Sequence, residues 1–197
     1  MYEDKPLREQ IFSIPNLMGY FRILLIPFFV WRYLTAETTG DYRIAALIIM
    51  VSGLTDLLDG YVARHFNMVT QVGKALDPFA DKLTQGALII CLSTRYHWLI
   101  ALIVLFVVKE GFMGVMGLIM LRKNKMLNGA KWYGKICTTV LYVVMFLLIL
   151  LPDMSVHAAN TLIVVCGAVM LLTLISYIPV FIKMGRDQEG IEINLKS

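Results

Sequence analysis

Residues 42–93 read YRIAALIIMVSGLTDLLDGYVARHFNMVTQVGKALDPFADKLTQGALIICLS. Two apolar segments, about Tyr42–Val62 and Pro78–Ser93, lie on either side of a short polar loop. Their lengths are near the roughly 20 apolar residues that a helix needs to cross a bilayer. The stretch therefore predicts two membrane-spanning helices, and the short connection predicts that they are antiparallel neighbours.

The composition extends this interpretation to the whole chain. Of its 197 residues, 58% are hydrophobic and 16% are charged, whereas soluble domains average about 45–50% apolar and about 25% charged. The basic residues behind the net charge of +4 are scattered between apolar stretches, which disfavours a nucleic-acid partner. We expect an all-α polytopic membrane protein with six transmembrane helices. The other four spans are predicted at about Leu17–Tyr33, Trp98–Leu121, Lys135–Leu151 and Ala158–Ile182.

The chain ends differ in character from this six-helix transmembrane domain, which we place at residues 14–185. Residues 1–13 mix both charge signs with apolar side chains, which predicts a short interfacial helix, and their acidic residues argue against a cleaved signal peptide. Residues 186–197 form a polar C-terminal tail. Most basic residues beside the span ends fall on one side, so we expect a multi-pass cell-membrane protein with both termini and the 64–76 and 122–134 loops in the cytoplasm.

Four aspartates lie in a window of 26 residues where the membrane makes charge costly. Asp56 and Asp59 are three residues apart, and Asp77 and Asp81 are four apart, so each pair projects from one face of a helix. An unpaired charge inside a span costs at least about 2.5–3.5 kcal/mol. If the two helices are neighbours, all four carboxylates converge near the cytosolic surface.

Converging carboxylates repel each other unless a cation neutralises them, and hard oxygen ligands suit Mg²⁺, Mn²⁺ or Ca²⁺. One alternative is that separate aspartates line a wet crevice, paired with Arg64, Lys74 and Lys82. Another is proton or ion translocation, as in an ion-coupled transporter. The position of all four acids at one end of the membrane disfavours a transporter.

The residues between the aspartates narrow the chemistry. Gly60, Ala63 and Gly73 are small, which lets a phosphate-bearing ligand approach the backbone. Arg64 supplies a fork of donors that matches phosphate oxygens. Metal-holding carboxylates beside an arginine and small residues form a plausible clamp for a diphosphate, as phosphoryl-type transfer requires.

The full pattern is Asp56-x-x-Asp59-Gly60-x-x-Ala63-Arg64, eight residues, then Gly73-x-x-x-Asp77-x-x-x-Asp81. It resembles, position for position, the signature of the CDP-alcohol phosphotransferase family, integral membrane enzymes that move a phosphatidyl or similar group from a CDP-linked donor to an alcohol. Around it, Ile14-Pro15-Asn16-Leu17, Phe21-Arg22 and Trp132-Tyr133-Gly134-Lys135 resemble segments of the bacterial phosphatidylglycerophosphate synthases within that family. The resemblance covers about the first 140 residues.

The resemblance implies roles for individual residues. Two divalent ions, Mg²⁺ or Mn²⁺, would be held by Asp56, Asp59, Asp77 and Asp81, and Asp81 would also be the general base. The donor would be CDP-diacylglycerol, held among membrane lipids. Its CDP part would bind at Asn16, Gly60, Arg64, Thr70 and Gly73. The resemblance also implies a homodimer.

Two departures from these relatives bear on the substrates: the one at position 19 removes a hydroxyl that would help hold the donor, and the one in the fourth span leaves the acceptor alcohol open. Gly19 stands where a threonine is usual, and Lys109-Glu110 followed by Gly117-Leu118-Ile119 stands where Arg-Glu and Gly-Leu-Arg are usual. Glycerol 3-phosphate needs basic partners, and the candidates are Lys109, Lys131 and Lys135, with Arg22 ranked behind them. Transfer to glycerol 3-phosphate is our first prediction, and transfer to phosphatidylglycerol, the cardiolipin synthase reaction, is the second. A membrane prenyltransferase is a more distant alternative.

Overall fold

The computed structural model describes residues 6–122 and 131–186, apart from the side chains of Leu7 and residues 184–186. Every regular element in this described part is helical, which confirms the all-α prediction. The helices are α1 (Leu7–Ile11), α2 (Ile14–Leu34), α3 (Thr39–His65), α4 (Gln71–Ser93), α5 (Leu99–Arg122), α6 (Trp132–Leu150) and α7 (Val156–Arg186). The polar tail from residue 187 and most of the 122–134 loop lie outside the described residues.

Five of these helices, α2, α3, α5, α6 and α7, are long and apolar enough to cross a membrane. Helix α4 is as long, but its first twelve residues carry Lys74, Asp77, Asp81 and Lys82. Many large apolar side chains are exposed, among them Trp31 and Leu172. Exposed apolar surface of this extent is expected where helices face lipid. The chain is therefore an integral membrane protein.

Helix α4 begins seven residues before the predicted span, which started at Pro78. The Thr70 side chain caps it by accepting a 2.9 Å hydrogen bond from the Gly73 backbone N–H. Pro78 lies inside the helix. The first turns of α4 are polar, so the hydropathy pattern does not reveal them. The Thr70 cap marks where the helix begins.

The chain divides into two compact units. The first unit comprises residues 1–96 and 145–155, and in it α2 packs against both α3 and α4. Helices α3 and α4 are not among the closely packed pairs of the described residues, and each of them packs closely against α2. Gly19 permits the approach of α2 to α4, because a Cβ there would lie 2.8 Å from Leu76 Cδ2.

Short contacts join the helix ends of this first unit. Arg95 donates to the Pro152 carbonyl at 2.5 Å and lies over the Tyr42 ring, 4.9 Å from its centroid. The Thr39 hydroxyl donates to Asp153 at 3.1 Å. The turn at 151–155 is therefore tied to the start of α3 and the end of α4. The five-residue helix α1 packs against α2 and α4.

The second unit comprises residues 97–144 and 156–197, and its described part is built on the packing of α5 against α7. Met120 of α5 and Tyr177 and Phe181 of α7 form its buried cluster, which Tyr133 of α6 adjoins. Gly134 allows α6 to meet α7, because a Cβ at this position would lie 2.5 Å from the Tyr177 hydroxyl.

Candidate active site

The four aspartates occupy two helices of the first unit. Asp56 and Asp59 lie one turn apart in α3, and Asp77 and Asp81 lie one turn apart in α4. The Asp59 side chain is buried, whereas those of Asp56 and Asp77 are about half exposed. The cluster thus has a buried side and an accessible side, as a site that receives a ligand requires.

Arg22 of α2 brings three of these carboxylates together. Its Nη1 contacts Asp56 Oδ1, and its Nη2 lies 3.7 Å from both Asp59 Oδ2 and Asp77 Oδ1. The convergence predicted from the sequence is therefore achieved, for three of the four aspartates, around an arginine of a third helix. This explains how α3 and α4 can share a site although each packs mainly against α2.

The Arg22 side chain is 3% exposed, which makes its charge costly unless carboxylates compensate it. Within the described residues, Arg22 Nε, Arg22 Nη2 and Asp59 Oδ2 are buried without a hydrogen-bond partner. Sequence reasoning missed this role of Arg22. The signal is an arginine inside the predicted first span. A buried arginine needs an acidic partner, and the second and third spans carry the clustered acidic residues of the sequence.

Asp81 has a different environment. Gln85, one turn further along α4 and almost fully buried, donates to Asp81 Oδ2 at 3.2 Å. Lys82 in turn donates to Gln85 Oε1 at 3.2 Å. Gln85 thus helps to orient the Asp81 carboxylate, one turn from Asp77.

Asn16, Thr70 and Gly73 form a buried cluster where α2 and α4 begin. Asn16 and Thr70 exchange hydrogen bonds of 3.1 and 3.2 Å, and Asn16 Nδ2 also donates to the Gln10 carbonyl at 2.7 Å. The Gln10 side chain accepts from the backbone N–H of Gln71 at 3.2 Å. The structure therefore brings together three of the five predicted donor-site residues and adds Gln10, which the sequence did not single out.

Gly60 and Arg64, the other two, lie on one face of α3. The Arg64 residue is exposed, and its guanidinium folds back so that Nη2 would be 3.5 Å from a Cβ at position 60. The absence of a side chain at Gly60 leaves this face of the helix open beside the guanidinium. Such a face can accept a phosphate or a ribose close to the backbone.

The three predicted acceptor-site lysines belong to the second unit. Lys109 is buried in the middle of α5 and pairs with Glu110 Oε1 at 2.6 Å. Lys131 and Lys135 are exposed at the start of α6. An accessible ammonium can meet a dianionic phosphate directly, whereas Lys109 must first be released from Glu110.

The carboxylates of this cluster are chemically suited to binding a divalent metal ion. Within residues 6–122 and 131–186, no three carboxylate, thiolate or imidazole groups are placed to share one ion as they stand. Three carboxylates nevertheless surround one cationic group, and a buried Asp59 oxygen has no hydrogen-bond partner in the described part. Oxygen ligands of this kind are those that Mg²⁺ and Mn²⁺ prefer.

Comparison with known proteins identifies the family of the chain. The family model for CDP-alcohol phosphatidyltransferase matches residues 12–179, which include all four aspartates and Arg22. The chain belongs to this family. Enzymes of the family depend in general on divalent metal ions. Membership of this family identifies the chain as a phosphatidyltransferase and excludes the alternatives of a prenyltransferase and a transporter.

Several relatives can be compared in more detail. The CDP-diacylglycerol–glycerol-3-phosphate 3-phosphatidyltransferase of Escherichia coli K12 is 32% identical over 164 residues, which cover 82% of this chain and 90% of the relative. The same enzyme of Shigella flexneri serotype 5b matches to the same extent. A cardiolipin synthase (CMP-forming)/mitochondrial hydrolase fusion protein of Schizosaccharomyces pombe is 41% identical over 92 residues, 47% of this chain and 15% of that longer protein.

Proposed function

We propose that the protein transfers a phosphatidyl group from CDP-diacylglycerol to glycerol 3-phosphate, releasing CMP and forming phosphatidylglycerophosphate. The observation that carries this proposal is the gathering of Asp56, Asp59 and Asp77 around one buried cationic side chain. Such a cluster can hold the cations that bind a diphosphate. The choice of acceptor is supported by the E. coli relative, because the similarity extends over 82% of this chain and 90% of that enzyme.

In the proposed reaction, the acceptor hydroxyl oxygen attacks the phosphorus that carries the diacylglycerol. A new P–O bond forms, and the bond from that phosphorus to the bridging oxygen of CMP breaks. CMP leaves with the bridging oxygen and the electron pair of the broken bond. Asp81 takes the hydroxyl proton, and its contact with Gln85 orients its carboxylate for this task.

Asp56, Asp59, Asp77 and Asp81 hold two divalent ions, Mg²⁺ or Mn²⁺, in this proposal. The ions supply positive charge for the donor diphosphate and for the charge that develops on the leaving phosphate. Asp56 and Asp77 face the accessible side of the cluster, whereas Asp59 anchors its buried side.

The CDP part of the donor binds along α3 and the starts of α2 and α4. Arg64 is exposed beside Gly60 and contacts phosphate oxygens. Asn16, Thr70 and Gly73 contribute through their hydrogen-bonded cluster, which sets the position of α2 relative to α4. The acyl chains remain in the bilayer.

Lys109, Lys131 and Lys135 bind the acceptor phosphate in this proposal. Lys131 and Lys135 are the accessible members, so replacing either with Met should raise the KM for glycerol 3-phosphate more than that for CDP-diacylglycerol. Steady-state kinetics in mixed micelles measure both constants. An equal effect on both substrates would contradict an acceptor-specific role.

Transfer to phosphatidylglycerol, giving cardiolipin, is the second candidate reaction. It is favoured by the 41% identity to the S. pombe fusion protein, although that match covers 47% of this chain. Its acceptor is itself a lipid and needs fewer solvent-facing cations, whereas this chain exposes Lys131 and Lys135.

One experiment separates the two reactions. The purified protein in detergent with Mg²⁺ or Mn²⁺ is given CDP-diacylglycerol and, in parallel, glycerol 3-phosphate, phosphatidylglycerol, inositol phosphate or serine. CMP release and the mass of the lipid product are measured. We expect CMP release and phosphatidylglycerophosphate with glycerol 3-phosphate; product with phosphatidylglycerol alone would assign the cardiolipin reaction instead.

We also propose that α4 is the sixth membrane span, that α1 is interfacial, and that both termini are cytoplasmic, as the distribution of basic residues favours. Single cysteines introduced at Arg122 and at Asp153, in a variant without the native cysteines, test this topology. An impermeant maleimide applied to intact cells should label position 153 and leave position 122 unlabelled. The proposed homodimer is tested by light scattering in detergent.

A further inference from the structure

Arg22 has an unusual position for a charged side chain in an apolar helix. It is 3% exposed, and its guanidinium lies among three carboxylates from two other helices. Asp56 and Asp77, two of those carboxylates, are each about half exposed. The cationic head therefore stands on the inner side of a cluster whose outer side is accessible.

The hydrogen bonding of this group is incomplete. Arg22 Nε and Nη2 are buried without a hydrogen-bond partner among the described residues, and so is Asp59 Oδ2. Nη2 and the nearest oxygens of Asp59 and Asp77 are 3.7 Å apart, which is ion-pair distance but too long for a hydrogen bond. Arg22 thus offsets one of three negative charges and leaves Asp59 and Asp77 beyond hydrogen-bond distance of its Nη2.

We propose that Arg22 is an internal counterion that competes with the divalent metal for Asp56, Asp59 and Asp77. The inference rests on the proposed function, because it takes these aspartates as the metal site. A divalent ion supplies more charge than the guanidinium and binds the carboxylate oxygens at shorter range. Metal binding is therefore an exchange in which the carboxylates give up contact with Arg22.

The charge balance predicts the sign of the effect. A guanidinium beside the carboxylates repels an incoming cation and occupies Asp56 Oδ1, an oxygen atom that the cation needs. Replacing Arg22 with glutamine removes both obstacles, so the metal should bind more tightly. If Arg22 instead only positioned the aspartates for metal, the same substitution would weaken binding, so the two roles predict opposite results.

The test is a Mn²⁺ titration of the full-length protein in detergent, without CDP-diacylglycerol, followed by the electron paramagnetic resonance signal of free Mn²⁺. We expect Arg22→Gln to lower the Kd for Mn²⁺ about tenfold or more, since it removes a unit positive charge a few ångströms from the ligands. Arg22→Lys, which keeps the charge, should stay nearer the wild-type value. An Arg22→Gln Kd equal to or above that of the wild type would overturn the proposal.

Arg32→Gln is the matched control. Arg32 lies on the same helix as Arg22 and pairs with Asp41, which belongs to the same partner helix as Asp56. Its removal also breaks an Arg–Asp pair between α2 and α3, yet should leave the Kd for Mn²⁺ unchanged. A decrease in Kd equal to that of Arg22→Gln would contradict a local competition.

Folding of the variant provides a second measurement. Without its counterion, Arg22→Gln should have a lower Tm than the wild type in EDTA and should gain more from saturating Mn²⁺. A variant that remains unfolded in saturating Mn²⁺ as well as in EDTA would contradict the exchange, because the metal would then fail to replace the guanidinium.

Asp59→Asn separates this inference from the proposed function. If wild-type protein binds Mn²⁺ and Asp59→Asn weakens the binding, the metal site stands whatever Arg22 does. If neither the wild type nor any variant binds Mn²⁺, the metal site itself fails. If binding depends on Asp59 and Arg22→Gln leaves it unchanged, the counterion role alone fails.

Discussion

Gly73 lies so close to Asn16 that a Cβ at position 73 would stand 2.7 Å from Asn16 Oδ1. The same Cβ would be 3.0 Å from Thr70 Oγ1, the atom that caps α4. Distances under about 3 Å between such atoms require one of them to move. The glycine in the aspartate motif thus permits the hydrogen-bonded contact between the starts of α2 and α4.

Gly73→Ala should disrupt this contact. Because Asn16 and Thr70 are both buried and bonded to each other, displacing Asn16 should lower the free energy of unfolding by about 1–3 kcal/mol. We expect a lower Tm and reduced CMP release. Gly86→Ala in the same helix is the control, since a Cβ there meets nothing within 4 Å, and it should retain or slightly raise the Tm.

Asp81→Asn should strongly reduce turnover, because an amide cannot take the acceptor proton. General-base removal is expected to reduce kcat by about 10²–10⁴-fold. Asp153→Asn, a change of the same kind at an exposed residue of the 151–155 turn, should leave CMP release near the wild-type rate. Wild-type turnover by Asp81→Asn would exclude its assignment as the base.

Chelation tests the metal dependence at the level of activity. We expect EDTA to stop CMP release, and excess Mg²⁺ or Mn²⁺ to restore it, because the aspartates cannot hold a diphosphate without cations. Initial rates before chelation, after it and after metal addition provide the measurement. Full activity in EDTA would remove the metal role from Asp56, Asp59 and Asp77.

Tyr33→Phe should stabilise the protein. The Tyr33 hydroxyl is buried without a hydrogen-bond partner in the described part of the chain, while its ring packs against Phe29 and Tyr42 at centroid distances of 5.8 and 5.3 Å. Phenylalanine keeps the ring and removes the unsatisfied group, for a gain of about 1 kcal/mol. Thermal unfolding in detergent should show a higher Tm.

The contrasting variant is Tyr177→Phe. The Tyr177 hydroxyl accepts a hydrogen bond from the Lys131 backbone N–H at 3.3 Å, so its loss should lower the Tm. If the two substitutions shifted the Tm in the same direction, hydrogen-bond satisfaction would not explain either result.

Gly134→Ala should loosen the second unit. Its Cβ would lie 2.5 Å from the Tyr177 hydroxyl, and Tyr177 belongs to the buried cluster with Met120 and Phe181. Overpacking of this kind costs about 1–3 kcal/mol. Gly114→Ala in the same unit meets nothing within 4 Å and should not lower the Tm; equal losses from both variants would contradict the packing argument.

The helices themselves were largely predictable from the sequence. Apolar runs of sufficient length located the centres of α2, α3, α5, α6 and α7, because a bilayer demands that backbone groups be satisfied within each span. Hydropathy predicts only the later part of helix α4, from Pro78 onward. Its first turns contain charged residues needed by the site, so hydropathy placed its start at Pro78 instead of Gln71.

The acidic motif is visible in the sequence, whereas the geometry that gathers it is not. The spacing of Asp56, Asp59, Asp77 and Asp81 places each pair on one helical face, since helix periodicity is a local property. Which helices meet is not local. The short loop between the second and third spans predicts that they are neighbours, and the structure adds that α2 packs closely against both helices.

Gly19 and Arg22 show the physical reason for this difference. In the sequence, Gly19 stands out because it lacks the hydroxyl of the usual threonine, and Arg22 is a minor candidate for binding the acceptor. In the fold, Gly19 admits Leu76 of α4, and Arg22 inserts among carboxylates 34 or more positions away in the chain. The sequence by itself determined an all-helical membrane enzyme and its acidic motif, because bilayer length and helical period act within a segment. Only the tertiary structure decided that α2 supplies the cation at the centre of that motif, because burying a charge depends on what other segments bring to it.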